Sequence, residues 1–498
     1  MSDEVRGSKG RGAEDSPIGR LSTGSRELDE ILGGGVPENS INIVMGEPGS
    51  GKTTLAEEFV FANANDERRP ILYLTTLSEP LDKVIKYLQQ FRFFDATKMG
   101  GTVQYDALGA DLAANGVGAL LPRIKDAIKA LSPKIIVIDS FKAIHDLAKS
   151  TQEMRLMLHE VAGLLAAYNT TVLLVGEYRH EDIAMFPEFA VADGIIELAR
   201  NSLGTRDERY LRVFKLRGSS YRPGFHAFDI TAAGLQVYPR LVSPVEAASY
   251  RRDVGRTPSG VPGLDPMLGG GFWAGSATLL AGPTGSGKTT MGIQFVLEGL
   301  RRGERCLLVN FQENPTQLVH QIEEMGGKLD DETRGRLELL YYSTVELPID
   351  RIIVSIFQAL QRGGVRRVVI DALGDLSTAA SDATRMHDYV YALVQHFAVM
   401  GVSSVLTLET DPPMMSRDES NGRLSHMTDS IVFLDIRARD GIVGRTLRVA
   451  KARGIAHDLQ ARELQIDATG LRIVEARRLR APFEPRTTGC NRSGSSPR

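Results

Sequence analysis

The chain contains 498 residues, 42% of them hydrophobic, which is enough for two or more domains with apolar cores. Its 59 Lys and Arg residues nearly balance its 62 Asp and Glu residues, so the net charge of −3 excludes a strongly basic overall field of the kind that attracts nucleic acids or anionic membranes. The two cysteines are too few for a disulfide framework, and no apolar signal core or membrane-length apolar run occurs, so a soluble, cytoplasmic protein is expected.

The two ends of the chain differ in composition from the rest. Glycine, serine and charged residues dominate residues 1–16, and proline, arginine, serine and glycine dominate residues 479–498. Segments of this composition cannot bury enough apolar surface to fold, so both ends are predicted to be disordered.

Between these ends the sequence repeats itself at a constant offset of 236 residues. Self-similarity over so long a stretch indicates tandem copies of one domain. The sequence therefore predicts a first domain over residues 17–240, a polar linker over 241–256 and a second domain over 257–478. The matching pairs are Asp29 with Asp265, Lys52 with Lys288, and Lys215 with Lys451.

In each copy an apolar run leads into the phosphate-loop motif G-x-x-x-x-G-K-[ST] and then into a stretch interpreted as an amphipathic helix, residues 55–64 or 291–300. The glycines let backbone N–H groups curl around a phosphate, the lysine reaches the terminal phosphates, and the hydroxyl ligates Mg²⁺. An ordinary glycine-rich turn is an alternative explanation for one isolated match. Two matches, each between an apolar run and a helical stretch, favour phosphate loops instead. The residues predicted to bind ATP are Gly46, Gly49, Ser50, Gly51, Lys52, Thr53 and Thr54 in the first copy, and Gly282, Gly285, Ser286, Gly287, Lys288, Thr289 and Thr290 in the second.

Short apolar runs alternate with helical patterns in both copies. This alternation is typical of parallel strands joined by crossover helices, so the fold class is predicted to be α/β, with a mostly parallel sheet flanked by helices. The predicted strands are residues 41–45, 71–75, 135–138 and 172–175 with a β-rich ending over 194–230, and residues 279, 306–310, 368–370 and 405–408 with a β-rich ending over 430–466.

An apolar run ends in an aspartate in each copy, at Asp139 and at Asp371. Alone, a strand that ends in aspartate is mostly a turn signal. At this distance from a phosphate loop, however, the carboxylate is expected to hold the water shell of Mg²⁺ beside the loop threonine. The two predicted metal sites are Thr53 with Asp139 and Thr289 with Asp371.

Four features occur together in each copy: an L-D-x-x-L-G-G-G-like beginning, the phosphate loop, a strand followed by acids and proline, and a late K-x-R-G segment. This combination resembles the KaiC family of double RecA-like ATPases, over nearly all of residues 16–474. The resemblance implies two tandem RecA-like P-loop NTPase domains that use ATP and Mg²⁺. It also implies a double-layered homohexamer, serine/threonine autokinase activity, a role in timing or signalling, and clock or signalling proteins as partners.

In that family two adjacent glutamates precede the residue before the proline. Aligned on the prolines, these positions hold Leu77 and Ser78 in the first copy and Gln312 and Glu313 in the second, while Glu79 lies one place further on. Hydrolysis needs a carboxylate that orients or deprotonates water. The resemblance thus implies that Glu313 acts with Lys52 and Lys288 in catalysis, and that hydrolysis is slow and occurs chiefly in the second copy.

The late segments place a lysine and an arginine two residues apart, as Lys215 with Arg217 and Lys451 with Arg453. Residues two apart on a strand share a face, so each pair is expected to point the same way. From the residues alone a solvated cationic edge is favoured. The resemblance implies instead that these side chains reach the nucleotide of a neighbouring subunit, where a guanidinium suits the charge of a γ-phosphoryl group.

Clock members of the family phosphorylate an adjacent Ser-Thr pair in the second copy. Here Ser425 and His426 occupy the aligned positions, so Ser425 is the predicted phosphorylation site, with Thr428 and Ser430 as weaker candidates. The alternative, a serine bonded to loop backbone, stays open.

Two rival functions also stay open. One is a RecA-like DNA recombinase or helicase, against which the neutral charge and the lack of an evident basic, aromatic strand-binding loop argue. The other is a non-catalytic, nucleotide-gated scaffold, which the missing glutamates favour. Neither nucleic acid nor membrane is the expected partner.

Overall fold

The computed structural model describes residues 18–76, 81–203, 206–244, 255–327, 329–343, 347–380, 383–410, 426–439 and 442–474. Most of the chain up to Leu241 forms one compact unit, and most of the chain after it forms a second. Both ends for which disorder is predicted, and most of the predicted linker, lie outside the described residues. In the described part of the chain, no helix combines the length and the apolar character needed to cross a membrane.

The first copy contains a large mixed sheet and a two-stranded ribbon formed by β1 and β2. Its apolar runs form strands because both faces of the sheet are covered. The strands are β1 (Arg20–Leu21), β2 (Val36–Pro37), β3 (Ile41–Gly46), β4 (Ile71–Thr75), β5 (Val103–Ala107), β6 (Ile135–Asp139), β7 (Thr171–Gly176), β8 (Gly194–Leu203), β9 (Arg206–Leu216), β10 (His226–Thr231) and β11 (Gly234–Tyr238).

The helices of this copy cross between the parallel strands. Short 3₁₀ turns occur at Ala96–Lys98 and Gly116–Ala119. The α-helices are α1 (Arg26–Ile31), α2 (Lys52–Asn63), α3 (Leu81–Leu88), α4 (Gly109–Asn115), α5 (Leu120–Leu131), α6 (Phe141–Asp146), α7 (Thr151–Ala167), α8 (Asp182–Met185) and α9 (Pro187–Val191).

Among the described residues, nine strands form the first sheet, in the order β11-β10-β9-β8-β3-β7-β6-β4-β5. The six strands from β8 to β5 in this order are parallel, and β9, β10 and β11 extend the sheet antiparallel. Parallel strands end at one edge, so the phosphate loop after β3 and Asp139 at the end of β6 lie at the same edge of the sheet. The predicted fold class is confirmed.

Strand β6 shows where the core lies. Ile135 and Val137 join the apolar cluster around α2, whereas Ile136 and Ile138 join the cluster around α5 and α7. Alternate residues of a strand face opposite sides of the sheet, so the run I-I-V-I is apolar throughout because both sides are buried.

The second copy repeats this architecture around its own sheet. Its strands are β12 (Arg256–Thr257), β13 (Phe272–Trp273), β14 (Ala277–Gly282), β15 (Arg305–Asn310), β16 (Leu337–Tyr341), β17 (Val365–Asp371), β18 (Ser403–Glu409), β19 (Ser430–Arg439), β20 (Ile442–Ala452), β21 (Arg462–Asp467) and β22 (Gly470–Val474). Its helices are α10 (Leu264–Met267), α11 (Lys288–Arg301), α12 (Pro315–Glu324), α13 (Asp331–Arg334), α14 (Ile349–Gln361), α15 (Leu373–Ala379) and α16 (Ala383–Met400).

Within the described part of this copy, nine strands form the sheet, in the order β16-β15-β17-β18-β14-β19-β20-β21-β22. The strands from β16 to β19 are parallel, and β20, β21 and β22 are antiparallel. The phosphate loop after β14 and Asp371 at the end of β17 therefore lie at one edge, as in the first copy.

The interpretation of residues 55–64 as an amphipathic helix is wrong. Helix α2 is buried almost all round, including Glu57 and Glu58, because it packs against both the parallel strands and the β10–β11 hairpin of the same sheet. The backbone N–H of Leu235 at the start of β11 donates to Glu58 Oε2 at 2.8 Å. Helix α11 is likewise buried at every residue of its middle turns, Met291–Leu297. Buried carboxyls thus occur where a solvent face was expected.

Besides β1, β2 and β11 in the first copy and β12, β13 and β22 in the second, the sequence analysis missed β5 and β16. Both are edge strands of their sheets. Their sequences, V-Q-Y-D-A and L-E-L-L-Y, are only half-buried, so they lack the continuous apolar run that marks the central strands.

Candidate nucleotide sites

Each phosphate loop joins the end of a central strand to the beginning of a buried helix. Gly51 and Gly287 occupy the N-cap positions of α2 and α11 with φ of 104° and 103°. Backbone in this left-handed region favours glycine, because a side chain there is strained. The loop geometry turns backbone N–H groups and the positive end of the helix dipole toward one point, which is an arrangement that binds phosphate.

The loop threonines contact the strand-end aspartates. Thr53 Oγ1 donates to Asp139 Oδ2 at 2.8 Å, and Thr289 Oγ1 donates to Asp371 Oδ2 at 2.7 Å. Burial raises the pKa of Asp139, while hydrogen bonds from Thr53 and Tyr73 and the charge of Lys52 act in the opposite direction. A hydroxyl and a carboxylate side by side are oxygen ligands of the kind that Mg²⁺ prefers.

The loop lysines fold back onto their own loops. Lys52 Nζ donates to the carbonyl of Glu47 at 2.8 Å, and Lys288 Nζ donates to the carbonyls of Gly282 and Pro283 at 2.8 and 2.9 Å. Burial lowers the pKa of both lysines. Each ammonium group thus already lies at its loop, held by backbone carbonyls of that loop.

Two acids that the sequence analysis missed face these lysines. The charge of Glu177 opposes the lowering of the Lys52 pKa, and that of Glu409 opposes the lowering of the Lys288 pKa. The signal was available, since an acid ends or follows the strand next to the phosphate-loop strand in both copies. In the first copy Lys52, Asp139, Glu177 and Ile230 line a cavity of about 420 Å³.

The end of β15 holds the candidate catalytic glutamate of the second copy. The side-chain oxygen of Asn310 accepts hydrogen bonds from the backbone N–H groups of Gln312 at 2.9 Å and Glu313 at 2.7 Å. Gln312 Nε2 donates to Asp375 Oδ2 at 3.0 Å. Glu313 Oε2 is buried and has no hydrogen-bond partner among the described residues, so its capacity to accept a hydrogen bond is unused there. Leu77, Ser78 and Glu79 lie outside the described residues.

The late cations contact the segment that leads into β8 or β19. Lys215 Nζ donates to the carbonyl of Ala192 at 2.5 Å, and Lys451 Nζ donates to that of Thr428 at 2.6 Å. Burial, and then the neighbouring arginine, lowers the pKa of each lysine. Each lysine thus contacts its own chain.

The paired arginines lie one residue beyond the ends of β9 and β20. The expectation that residues two apart on a strand share a face therefore does not apply to them. Arg217 Nη1 donates to Asp193 Oδ1 at 3.1 Å, and Arg453 Nη2 donates to the carbonyl of His426 at 2.8 Å. Each arginine nonetheless contacts the same segment as its lysine.

Ser425 lies outside the described residues. The two weaker candidates close to it are described, and both are shielded from solvent, with Thr428 2% exposed and Ser430 1% exposed. Neither hydroxyl is accessible in this conformation.

Both copies of the repeat match known proteins. The family model described as "ATPase: KaiC" matches residues 21–242 and again residues 257–478. The circadian clock oscillator protein KaiC of Picosynechococcus sp. (strain ATCC 27264 / PCC 7002 / PR-6) is 28% identical over 471 residues, which cover 92% of this chain and 90% of that protein. In Synechocystis sp. (strain ATCC 27184 / PCC 6803 / Kazusa), the circadian clock oscillator protein KaiC 1 is 27% identical over 465 residues (91% and 88%), and the circadian clock protein KaiC3 is 27% identical over 479 residues (92% and 92%).

Proposed function

Because the chain belongs to the KaiC family of ATPases, we propose that it binds ATP with Mg²⁺ in both copies and hydrolyses ATP chiefly in the second. The observation that carries this proposal is the double occurrence of one arrangement. In each copy a glycine-capped helix begins at a phosphate loop, and the loop threonine lies 2.8 or 2.7 Å from a strand-end aspartate.

The residues present fit a magnesium ion. Thr53 with Asp139, and Thr289 with Asp371, offer the hydroxyl and carboxylate oxygens that hold Mg²⁺ and its water shell beside a phosphate chain. When bound, the ion neutralises charge on the phosphates. The glycine loops supply backbone N–H donors to the phosphates, and Lys52 and Lys288 supply the cations that contact the terminal phosphates.

Hydrolysis requires a group that orients the attacking water. In the second copy Glu313 fits this role, because one of its carboxylate oxygens is buried without a partner among the described residues and its backbone is held by Asn310. In the first copy Leu77 and Ser78 stand at the aligned positions, so slow or absent hydrolysis is proposed there. The first copy then serves mainly to bind nucleotide and to assemble the protein.

The remaining parts of the proposal rest on the family. We propose two domains over residues 17–240 and 257–478, assembled as a cytoplasmic homohexamer of two layers. Lys215, Arg217, Lys451 and Arg453 would act on a neighbouring subunit's nucleotide. The relatives' names as clock proteins support a timing or signalling role with clock-protein partners, and Ser425 is the proposed site of autophosphorylation.

Nucleotide stoichiometry tests the central claim. Wild-type protein should bind two ATP molecules per chain, and Lys52→Ala and Lys288→Ala should each bind one, as measured by equilibrium dialysis with Mg²⁺. The exposed Lys129→Ala is the matched control and should bind two. Two sites retained in either loop variant would contradict the assignment.

The oligomer size and the ATP turnover rate of these variants then distinguish the roles of the two copies and the rival functions. Lys52→Ala should give monomers, whereas Lys288→Ala should give rings that have lost turnover, as measured by size-exclusion chromatography and phosphate release. Equal assembly of both variants counts against the division of labour. A turnover rate stimulated by single-stranded DNA would favour a recombinase, and no turnover at all would favour a scaffold.

A further inference from the structure

The two strand-end aspartates receive a second hydrogen bond from different strands. In the first copy the hydroxyl of Tyr73 on β4 donates to Asp139 Oδ2 at 3.0 Å, the same oxygen that accepts from Thr53. In the second copy Thr407 Oγ1 on β18 donates to Asp371 Oδ1, while the loop threonine donates to Oδ2. Oδ1 of Asp139 accepts no hydrogen bond from the described residues, whereas both oxygens of Asp371 accept one.

The register of the sheets shows that each copy lacks the other's donor. Val175 pairs with Val44 and Thr407 pairs with Leu280, two residues before the last glycine of the loop strand in each case, so Val175 occupies the place of Thr407. Valine has no hydroxyl to donate. The support of the aspartate is therefore chemically different in the two copies.

The reverse replacement occurs on the other side of the aspartate. Leu308 lies two residues before the residue that pairs with Asp371, as Tyr73 lies two before the residue that pairs with Asp139. Leu308 cannot donate a hydrogen bond. The tyrosine hydroxyl is thus specific to the first copy.

Tyr73 is held by a buried group of its own. It is 1% exposed, and its ring stacks on that of Tyr105 with centroids 5.1 Å apart and an interplanar angle of 26°. The hydroxyl of Tyr105 donates to Glu57 Oε2 at 2.7 Å. The corresponding positions of the second copy hold Leu339, which pairs with Leu308, and Ile293, one helical turn after the loop threonine. Only the first copy therefore fixes the ring that reaches its aspartate.

We propose that Tyr73, held by Tyr105 and Glu57, positions Asp139 and sets the Mg²⁺ requirement of nucleotide binding in the first copy, independently of the second, where Thr407 positions Asp371. A hydrogen bond to a carboxylate fixes its rotamer and its basicity, and groups that orient metal-site ligands in this way typically change metal affinity by roughly 10- to 100-fold when removed. This inference rests on the proposed function, namely that ATP and Mg²⁺ bind at both loops.

The test uses full-length Lys288→Ala protein, in which only the first copy is expected to bind nucleotide. Binding of ATP carrying a fluorescent methylanthraniloyl group is titrated with MgCl₂. Tyr73→Phe, which keeps the stacked ring, is expected to raise the Mg²⁺ concentration at half-saturation about tenfold. Adding Val175→Thr, the donor of the second copy, should restore the wild-type value. Tyr168→Phe, at a surface tyrosine that is 42% exposed, is the matched control and should change nothing.

The mirror experiment uses Lys52→Ala protein, in which Thr407→Val should raise the Mg²⁺ requirement while Tyr73→Phe should not. If Tyr73→Phe leaves the Mg²⁺ concentration at half-saturation unchanged, the inference is overturned but the proposed function is not. No nucleotide binding by the Lys288→Ala protein at any Mg²⁺ concentration overturns the proposed function of the first copy, and this inference with it.

A second variant keeps the inference testable if Tyr73→Phe does not fold. Tyr73→Leu combined with Tyr105→Leu and Glu57→Ile introduces the side chains that the second copy packs at the same positions. It should show the same roughly tenfold rise, and Val175→Thr should again reverse it. A rise that Val175→Thr does not reverse would assign the effect to packing and overturn the positioning role.

Discussion

The stability of the first copy should fall as pH rises from 5 to 8, because of Glu57. This carboxyl is 1% exposed inside the unit, in contrast to the surface position typical of glutamate. Burial raises its pKa from 4.5 to about 8, the hydrogen bond from Tyr105 acts in the opposite direction, and the charge of Asp139 adds to the rise. In the folded protein Glu57 is therefore mostly neutral at pH 7.

The sign and size of the effect follow from proton linkage. Between pH 4.5 and 8 the unfolded chain has released the Glu57 proton and the folded chain retains it, so the free energy of unfolding falls as pH rises. Below pH 4.5 both states are protonated, and above about pH 8 both are ionised, so no further change arises there. At about 1.4 kcal/mol per pH unit, the three units from pH 5 to pH 8 cost about 4 kcal/mol.

The assay compares wild-type protein with Glu57→Ile combined with Tyr105→Leu, the pair that the second copy contains as Ile293 and Leu339. Replacing both partners avoids leaving the Tyr105 hydroxyl buried and unpaired. Urea unfolding is followed at several pH values by circular dichroism, which reports both copies, and by fluorescence of the single tryptophan, Trp273, which reports the second.

The component seen only by circular dichroism belongs to the first copy. Its free energy of unfolding should fall by about 4 kcal/mol more in wild-type protein than in the variant between pH 5 and pH 8. Any slope left in the variant is expected from Glu58, whose pKa burial raises to about 7, and from Asp139, whose pKa burial also raises. Parallel pH profiles for the two proteins would refute the reasoning.

Three further predictions concern the second copy. Glu313→Gln should lower ATP turnover roughly 100-fold without changing ATP affinity, and an unaltered rate would assign the work to another acid. Lys451→Ala with Arg453→Ala should also lower turnover, and mixing that protein with Glu313→Gln should recover part of it through hybrid interfaces; no recovery in rings that exchange subunits would indicate action within one subunit. Incubation with Mg·ATP should place phosphate on Ser425, as mapped by mass spectrometry, and this phosphate should vanish in Lys288→Ala.

The fold class could be predicted because its signals are local and repeated. Apolar runs that alternate with helical patterns indicate parallel strands. Two phosphate loops, separated by the same 236 residues as the other matching positions, indicate two domains of one kind. The contact between Thr53 and Asp139 was also accessible to sequence reasoning, since parallel strands bring their carboxyl ends to one edge. These inferences require only an approximate knowledge of the strand order.

The features that could not be predicted depend on which side chains the sheet order brings together. Glu57 and Tyr105 lie 48 residues apart and meet only because β5 forms the edge beyond β4, and β5 itself gave no strand signal. A glutamate on a helix is normally read as solvent-facing. Its burial follows because the parallel strands and the β10–β11 hairpin of the same sheet both pack on α2, which no local pattern shows.

The ends of β4 and β15 support a division of labour between the copies. In the first copy Thr76 Oγ1 accepts from the N–H of Ser140 at 2.9 Å and donates to its carbonyl at 3.2 Å, so the end of β4 is tied to the end of β6. In the second copy that position is Phe311, which forms no such side-chain bonds, and the side chain of Asn310 holds the backbone of Glu313 instead. Side-chain hydrogen bonds thus join the strand ends in the first copy, whereas in the second copy the Asn310 side chain holds the segment that carries Glu313. These contacts are the structural difference at the strand ends that accompanies the proposed division, in which the first copy mainly binds nucleotide and the second hydrolyses it.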